Sequence, residues 1–183
     1  MRIITGSARG KKLTTLEGEQ VRPTSDRVKE ALFNIIQFDL EGRNVLDLFA
    51  GSGQIGLEAI SRGASHAVLV DASKESIQVI RDNVRHCGFG DFVEIVSMDF
   101  SSYLMRKGQK FDLAFLDPPY GQGLLQKALP LVAEVMNPGG TILCEHPVGE
   151  ELPQEVGRFA MVKCYRYGKI ALTMYRRKDV MES

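Results

Sequence analysis

The stretch NVLDLFAGSGQIGLEAI, residues 44–60, decides how the rest of the chain is read. Its first half is a short apolar run, of the kind that fills a parallel strand covered on both faces. Its second half carries apolar residues at three-to-four spacing, the period of a helix. Between them Gly51, Gly53 and Gly56 fall at the spacing G-x-G-x-x-G. Glycine there lets the backbone turn tightly and a ligand come close, with the amides of the opening helix aimed at it. Strand, glycine turn and helix in this order predict a nucleotide-type cofactor.

The same alternation continues outward. AVLVD (67–71), FVEIVS (92–97), DLAFLD (112–117) and TILCE (141–145) are further strand-like runs. The segments between them, SKESIQVIRDNVRHCG and GLLQKALPLVAEVMNPGG, have helical spacing; Ser73 caps the first, and Gly88 and Gly139 follow helix ends. Such alternation predicts a doubly wound α/β sheet. Upstream, RPTSDRVKEALFNIIQFDL predicts an amphipathic helix capped by Thr24 or Ser25, with Val28, Leu32, Ile35 and Ile36 inward. Downstream, GRFAMVKCYRYGKIALTMYRRK predicts two strands about a tight turn at Tyr167-Gly168, leaving an antiparallel strand in the sheet.

The 183 residues suit a single domain, 1–183, in which 1–40 form a basic arm and a helix packed on the core. No repeat or linker interrupts them. MRIITGSARGKK has no apolar signal-peptide core, and no apolar run is long enough to span a membrane. Three scattered cysteines without metal spacing suit reduced thiols in a cytoplasmic protein. The net charge of +0 excludes no partner, but the basic groups cluster at both ends of the chain. That asymmetry suits either solvated surface or a face that meets phosphates. His66, His86 and His146 stand alone and read as structural or exposed.

Two cofactors compete for the glycine turn. Asp71, ending the second strand, can accept both ribose hydroxyls, as in an NAD-type oxidoreductase. Asp47, four residues before Gly51, favours a cofactor with a cationic amino-acid part over an anionic pyrophosphate. Asp99-Phe100 after the third strand offers an acceptor and a ring to an adenine, or else Asp99 is simply a helix N-cap. Together these favour S-adenosylmethionine.

D-L-F-A-G-S-G, Asp71, Asp99-Phe100 and D-P-P-Y (Asp117, Pro118, Pro119, Tyr120) resemble the successive motifs of class I S-adenosylmethionine-dependent methyltransferases. The opening R-I-I-T-G-S-A-R-G-K-K-L, followed by R-P-T-S-D-R-V-K-E-A-L-F-N-I-I, resembles the RsmD family of bacterial 16S rRNA guanine-N2 methyltransferases. The resemblance implies a Rossmann-like, seven-stranded, mostly parallel sheet with an antiparallel C-terminal strand and helices on both faces. It also implies a cofactor site of Asp47, Phe49, Gly51, Gly53, Asp71, Asp99 and Phe100, with 16S rRNA of the small subunit as partner and no metal.

At D-P-P-Y, Asp117 and the Pro118 carbonyl can each accept one hydrogen of a base amine, and Asp117 can take up the released proton. Pro118 and Pro119 stiffen the backbone so that these acceptors are preorganised, and Tyr120 can stack on the base. Arg9, Lys11 and Lys12 predict a flexible arm along a phosphate backbone. Arg22 can face RNA or cofactor, while Arg27 can meet RNA, or Arg27 and Lys29 merely pair with Glu30 or Asp26 on a solvated face. The tyrosine form of the tetrapeptide also occurs in adenine-N6 methyltransferases, so adenine stays beside guanine as a target. An oxidoreductase and a non-catalytic RNA-binding module remain as further alternatives.

Overall fold

The computed structural model describes residues 1–17, 25–106 and 108–181. Five parallel strands form the centre: β1 (Asn44–Leu48), β2 (His66–Asp71), β3 (Val93–Ser97), β4 (Phe111–Leu116) and β5 (Met136–Pro147). Three antiparallel strands extend it: β6 (Glu155–Val156), β7 (Phe159–Tyr167) and β8 (Ile170–Arg177). The order is β3-β2-β1-β4-β5-β8-β7-β6, eight strands where seven were expected. The additional one, β6, is two residues long, too short to leave any periodicity in the sequence.

The helices divide between the two faces. α1 (Asp26–Ile35), α2 (Gln54–Ser61) and α3 (Lys74–Cys87) pack on one face through Phe33, Leu57 and Ile80, against Leu69, Phe115 and Leu172 of the sheet. On the other face α4 (Phe100–Leu104) and α5 (Leu124–Ala133) bring Leu104 and Leu129 against Leu46, Val68 and Tyr175. Alternate residues of each central strand thus face two apolar layers, which is why the strands read as unbroken apolar runs. Among the described residues, no helix is long and apolar enough to cross a membrane.

Local chemistry sets the boundaries. Ser25 caps α1 by accepting from Val28 N, while Thr24 lies outside the described residues. Ser73 accepts from Ser76 N, and Gly88 closes α3 with a left-handed φ of 73°. Gly139 does not close a helix. α5 ends at Ala133, and Asn137-Pro138-Gly139-Gly140 form an irregular entry to β5, where the register on β4 shifts between Phe111 and Leu113. The inward stripe of α1 also differs from expectation. Lys29 and Phe33 are buried with Val28 and Leu32, while Ile35 is only half-buried.

Lys29 is tolerated inside because it is paired. Its Nζ donates to Arg2 O (2.7 Å) and lies 3.3 Å from Glu58 Oε1. Burial pushes its ammonium below the usual lysine range, and Glu58 opposes that shift. Glu58 also accepts from the amides of Ile4 (2.7 Å) and Thr5 (3.1 Å) and from Arg62 Nε (3.2 Å). The basic N-terminal segment is therefore a bolted strap, not the flexible arm its small residues suggest. Ile3, Ala8 and Leu13 are buried, and Arg2 bridges to Lys12. Gly6 passes so close to α2 that a Cβ there would sit 1.8 Å from Ser61 O.

Candidate active site at the sheet switch point

The sheet order reverses between β1 and β4, and at such a switch point the two outgoing chains diverge and leave a crevice. Leu48 of β1 pairs with Leu116 of β4. The glycine turn and the D-P-P-Y turn therefore leave the sheet side by side, roughly 4.8 Å apart. A cavity of about 870 Å³ opens there. Asp47, Phe49, Gly51, Asp71, Asp99, Phe100, Asp117, Pro118, Pro119 and Tyr120 all line it. Gly53 stands just behind, as the left-handed N-cap of α2.

The walls follow from local constraints. Gly56 allows α2 to lie tight on β2, since a Cβ there would be 2.6 Å from Leu69 Cδ1. Phe49 has a φ of 64°, rare and costly for a residue with a side chain. That conformation sets its ring on Phe100, with centroids 5.2 Å apart, forming an aromatic wall.

The four acids sit in unlike environments. Asp47 is buried and accepts from Gly56 N (2.9 Å), which ties β1 to the first turn of α2. Burial pushes its pKa up to about 8; the charge of Asp71 adds to the rise and the Gly56 amide opposes it. Asp71 accepts from Gly51 N through one oxygen and from Ser73 N through the other, both at 2.9 Å. Asp99 is exposed and caps α4, and its pKa is lowered to about 2 by bonds from the Ser102 hydroxyl and amide and from the Ser101 hydroxyl. Its expected alternative as an N-cap is thus its actual local role. Asp117 is half-buried at the end of β4, with Pro118 buried behind it, Tyr120 half-buried and Pro119 exposed.

The strap supplies a part of the cavity that sequence reasoning missed. Met1, Thr15 and Leu16 line it beside the glycine turn. The latch is Asn83 of α3, buried within the helix. Its Oδ1 accepts from Thr14 N (2.8 Å), and its Nδ2 donates to Thr14 O (3.0 Å) and to Ser52 O (2.9 Å). In sequence Asn83 is one polar residue in a polar helix, and nothing marks it out.

The basic residues of the N-terminal segment lie elsewhere. α2 and α3 both start at the cavity and run away from it. Ser7 N bonds Ser61 O at the far end of α2, and Lys11 Nζ donates to His86 O in the last turn of α3. Arg9, Lys11 and Lys12 are thus exposed near the opposite edge of the sheet. The fourteen residues of α3 separate that edge from the cavity, roughly 21 Å at about 1.5 Å per residue. Arg27 is exposed in the first turn of α1, while Arg22 lies outside the described residues.

A doubly wound sheet with a glycine turn and an acid-Pro-Pro-Tyr turn facing each other across its switch point is the Rossmann-like architecture of class I methyltransferases. The solved structure of the Escherichia coli protein yhhF superposes with a TM-score of 0.86 at 33% identity, covering 97% of each chain. A family model described as Conserved hypothetical protein 95 matches residues 1–176, and the chain belongs to that family, the RsmD family. Ribosomal RNA small subunit methyltransferase D of Escherichia coli (strain K12) is 33% identical over 185 residues, spanning all of this chain and 93% of its own. YlbH of Bacillus subtilis (strain 168) is 36% identical over 183 residues, spanning 97% and 100%.

Proposed function

We propose that the protein transfers a methyl group from S-adenosylmethionine to the exocyclic N2 amine of a guanine in 16S rRNA of the small ribosomal subunit, in the cytoplasm. The observation that carries this reading is the convergence of the glycine turn and Asp117 to Tyr120 on one cavity. The small-subunit rRNA is taken from the name of the Escherichia coli relative.

The residues present fit the cofactor. Each Asp71 oxygen accepts one amide and keeps a lone pair for a ribose hydroxyl. Asp99 Oδ1 is filled by Ser101 and Ser102, but Oδ2 accepts only the Ser102 hydroxyl and can take an adenine amine. Phe49 and Phe100 offer the flat apolar surface a purine needs, and Asp47 offers a carboxylate to an ammonium. When bound, S-adenosylmethionine supplies an electrophilic methyl group on a sulfonium.

The chain's own groups would then hold the acceptor. Asp117 and the Pro118 carbonyl accept the two amine hydrogens and turn the nitrogen lone pair toward the cofactor side of the crevice. Asp117 takes the proton that the amine releases. The buried Pro118 fixes both acceptors before the base arrives, so that little ordering entropy is lost on binding. Tyr120 stacks on the base.

Small subunits lacking the modification, incubated with tritium-labelled S-adenosylmethionine, test the reading. Label recovered on guanine N2 after digestion to nucleosides is expected. Label on adenine N6 would favour the second reading, which the tyrosine of D-P-P-Y motivates. Absence of label from RNA under conditions where the cofactor binds would refute both. Asp117→Ala is expected to lower turnover by about 10²–10⁴ with cofactor binding unchanged.

A further inference from the structure

Next to the cavity the same rim of the sheet carries a second built feature. β5 does not stop level with β4. Leu116 pairs with Cys144, and β5 runs on to Pro147, which pairs with Ile170 of β8, itself opposite Tyr167 of β7. Cys144 to Pro147 is three residues, so the β7–β8 hairpin rises about 10 Å above the end of β4, at about 3.4 Å per residue. It lies three strands sideways from β4, about 14 Å at roughly 4.8 Å per strand. The tip is firmly held: Val148 N donates to Lys169 O (2.9 Å), and the ring of buried His146 bonds Thr173 Oγ1 (2.7 Å).

Its chemistry is one-signed. Residues 156–178 contain seven Lys and Arg and no Asp or Glu. Arg176, Arg177 and Lys178 are paired with Asp39, Asp179 and Glu155. Lys163, Arg166 and Lys169 are exposed and have no ion-pair partner among the described residues. Tyr165 and Tyr167 are half-buried against the core layer that also holds α1, and Lys163 Nζ stands 4.6 Å from the Tyr165 ring centroid. Gln126 of α5, on the opposite face, donates to the nearby Glu150 carboxylate (3.4 Å) and to the backbone carbonyl of Glu151 (3.2 Å). Beyond Ala160, β7 has no outer neighbour among the described strands, so the aromatic and basic groups stand at an open edge.

We propose that this hairpin is the wall against which the RNA flanking the target nucleotide docks. Lys163 and Lys169 meet its phosphates, and Tyr165 and Tyr167 offer faces to unstacked bases. Offset from the end of β4 by three strands, these contacts fall on nucleotides flanking the base at Asp117 and not on the base itself. The inference rests on the RNA reading given above. It assigns RNA contact to a hairpin beside the cavity, whereas Arg9, Lys11 and Lys12 stand at the far edge.

The test compares the wild-type protein with the double variant Lys163→Glu/Lys169→Glu and with Tyr167→Leu. RNA affinity is measured across a salt series, alongside cofactor affinity and methyl transfer at saturating RNA. The double variant is expected to bind RNA at least about tenfold more weakly, with a log–log salt slope shallower by about 1.5 for two lost phosphate contacts. Its cofactor affinity and saturated turnover stay at wild-type values. Tyr167→Leu is expected to lose about fivefold or more in affinity with the slope preserved. If the wild type methylates RNA and the double variant matches it in affinity and slope, the hairpin assignment is overturned while the RNA reading stands. A wild type that methylates no RNA overturns both.

Discussion

At the scale of single residues, two carboxylates on adjacent strands sit in unlike surroundings. Asp71 has two amide donors, while Asp47 is buried with one. Asp47 therefore retains a proton in the folded protein up to about pH 8, whereas the unfolded chain releases it near the ordinary carboxylate value of 3.8. Between those values the folded state binds more protons than the unfolded state, so stability falls as pH rises. We expect the melting temperature of the cofactor-free protein to decline from pH 5 to pH 8, and the decline to be shallower in Asp47→Asn. Equal slopes for the two proteins would show that Asp47 is already ionised at neutral pH. A cation bound beside Asp47 would stabilise the carboxylate and displace that proton, which makes the site responsive to the charge of its ligand.

At the scale of elements, the strap, α1 and α2 are fastened through one buried acid. Glu58 is fully buried and faces Lys29, Arg62 and two strap amides. Removing one partner of a buried ion pair leaves the other charge uncompensated, a loss of about 3–5 kcal/mol. Glu58→Gln should show that loss in urea unfolding, together with weaker cofactor binding as Met1, Thr15 and Leu16 lose their anchorage. A variant as stable as the wild type would mean that Lys29 reaches solvent or gives up its proton cheaply. The strap also shows why composition misleads at this scale. Gly6, Ser7 and Gly10 read as flexible, yet Gly6 lies so close to α2 that no side chain fits there.

At the scale of the whole molecule, ligand binding at the switch point couples to the stability of the entire sheet. S-adenosylmethionine at a hundred times its Kd should add about 2.7 kcal/mol, raising the melting temperature by about 5–10 °C for a chain of this size. NAD should leave it unmoved; a shift with NAD alone would restore the oxidoreductase reading of Gly51, Gly53 and Gly56.

The central strands, α2, α3 and the switch point were legible in the sequence, because burial on both faces and helical period write themselves into local patterns such as NVLDLFA and SKESIQVIRDNVRHC. The position of D-P-P-Y at the cavity was legible because prolines end a strand, and the carboxyl end of a parallel strand opens onto the crevice. Three things depended on distant contacts instead. Lys29 is buried because Glu58 lies across from it, Asn83 matters because Thr14 and Ser52 converge on it, and Lys11 stands at the far edge because α3 carries it there. Periodicity and turn chemistry act over a few residues and are fixed by the sequence itself. The partner of a buried charge, or the edge at which a basic group emerges, depends on which segments the packed sheet brings together, and only the tertiary structure decides that.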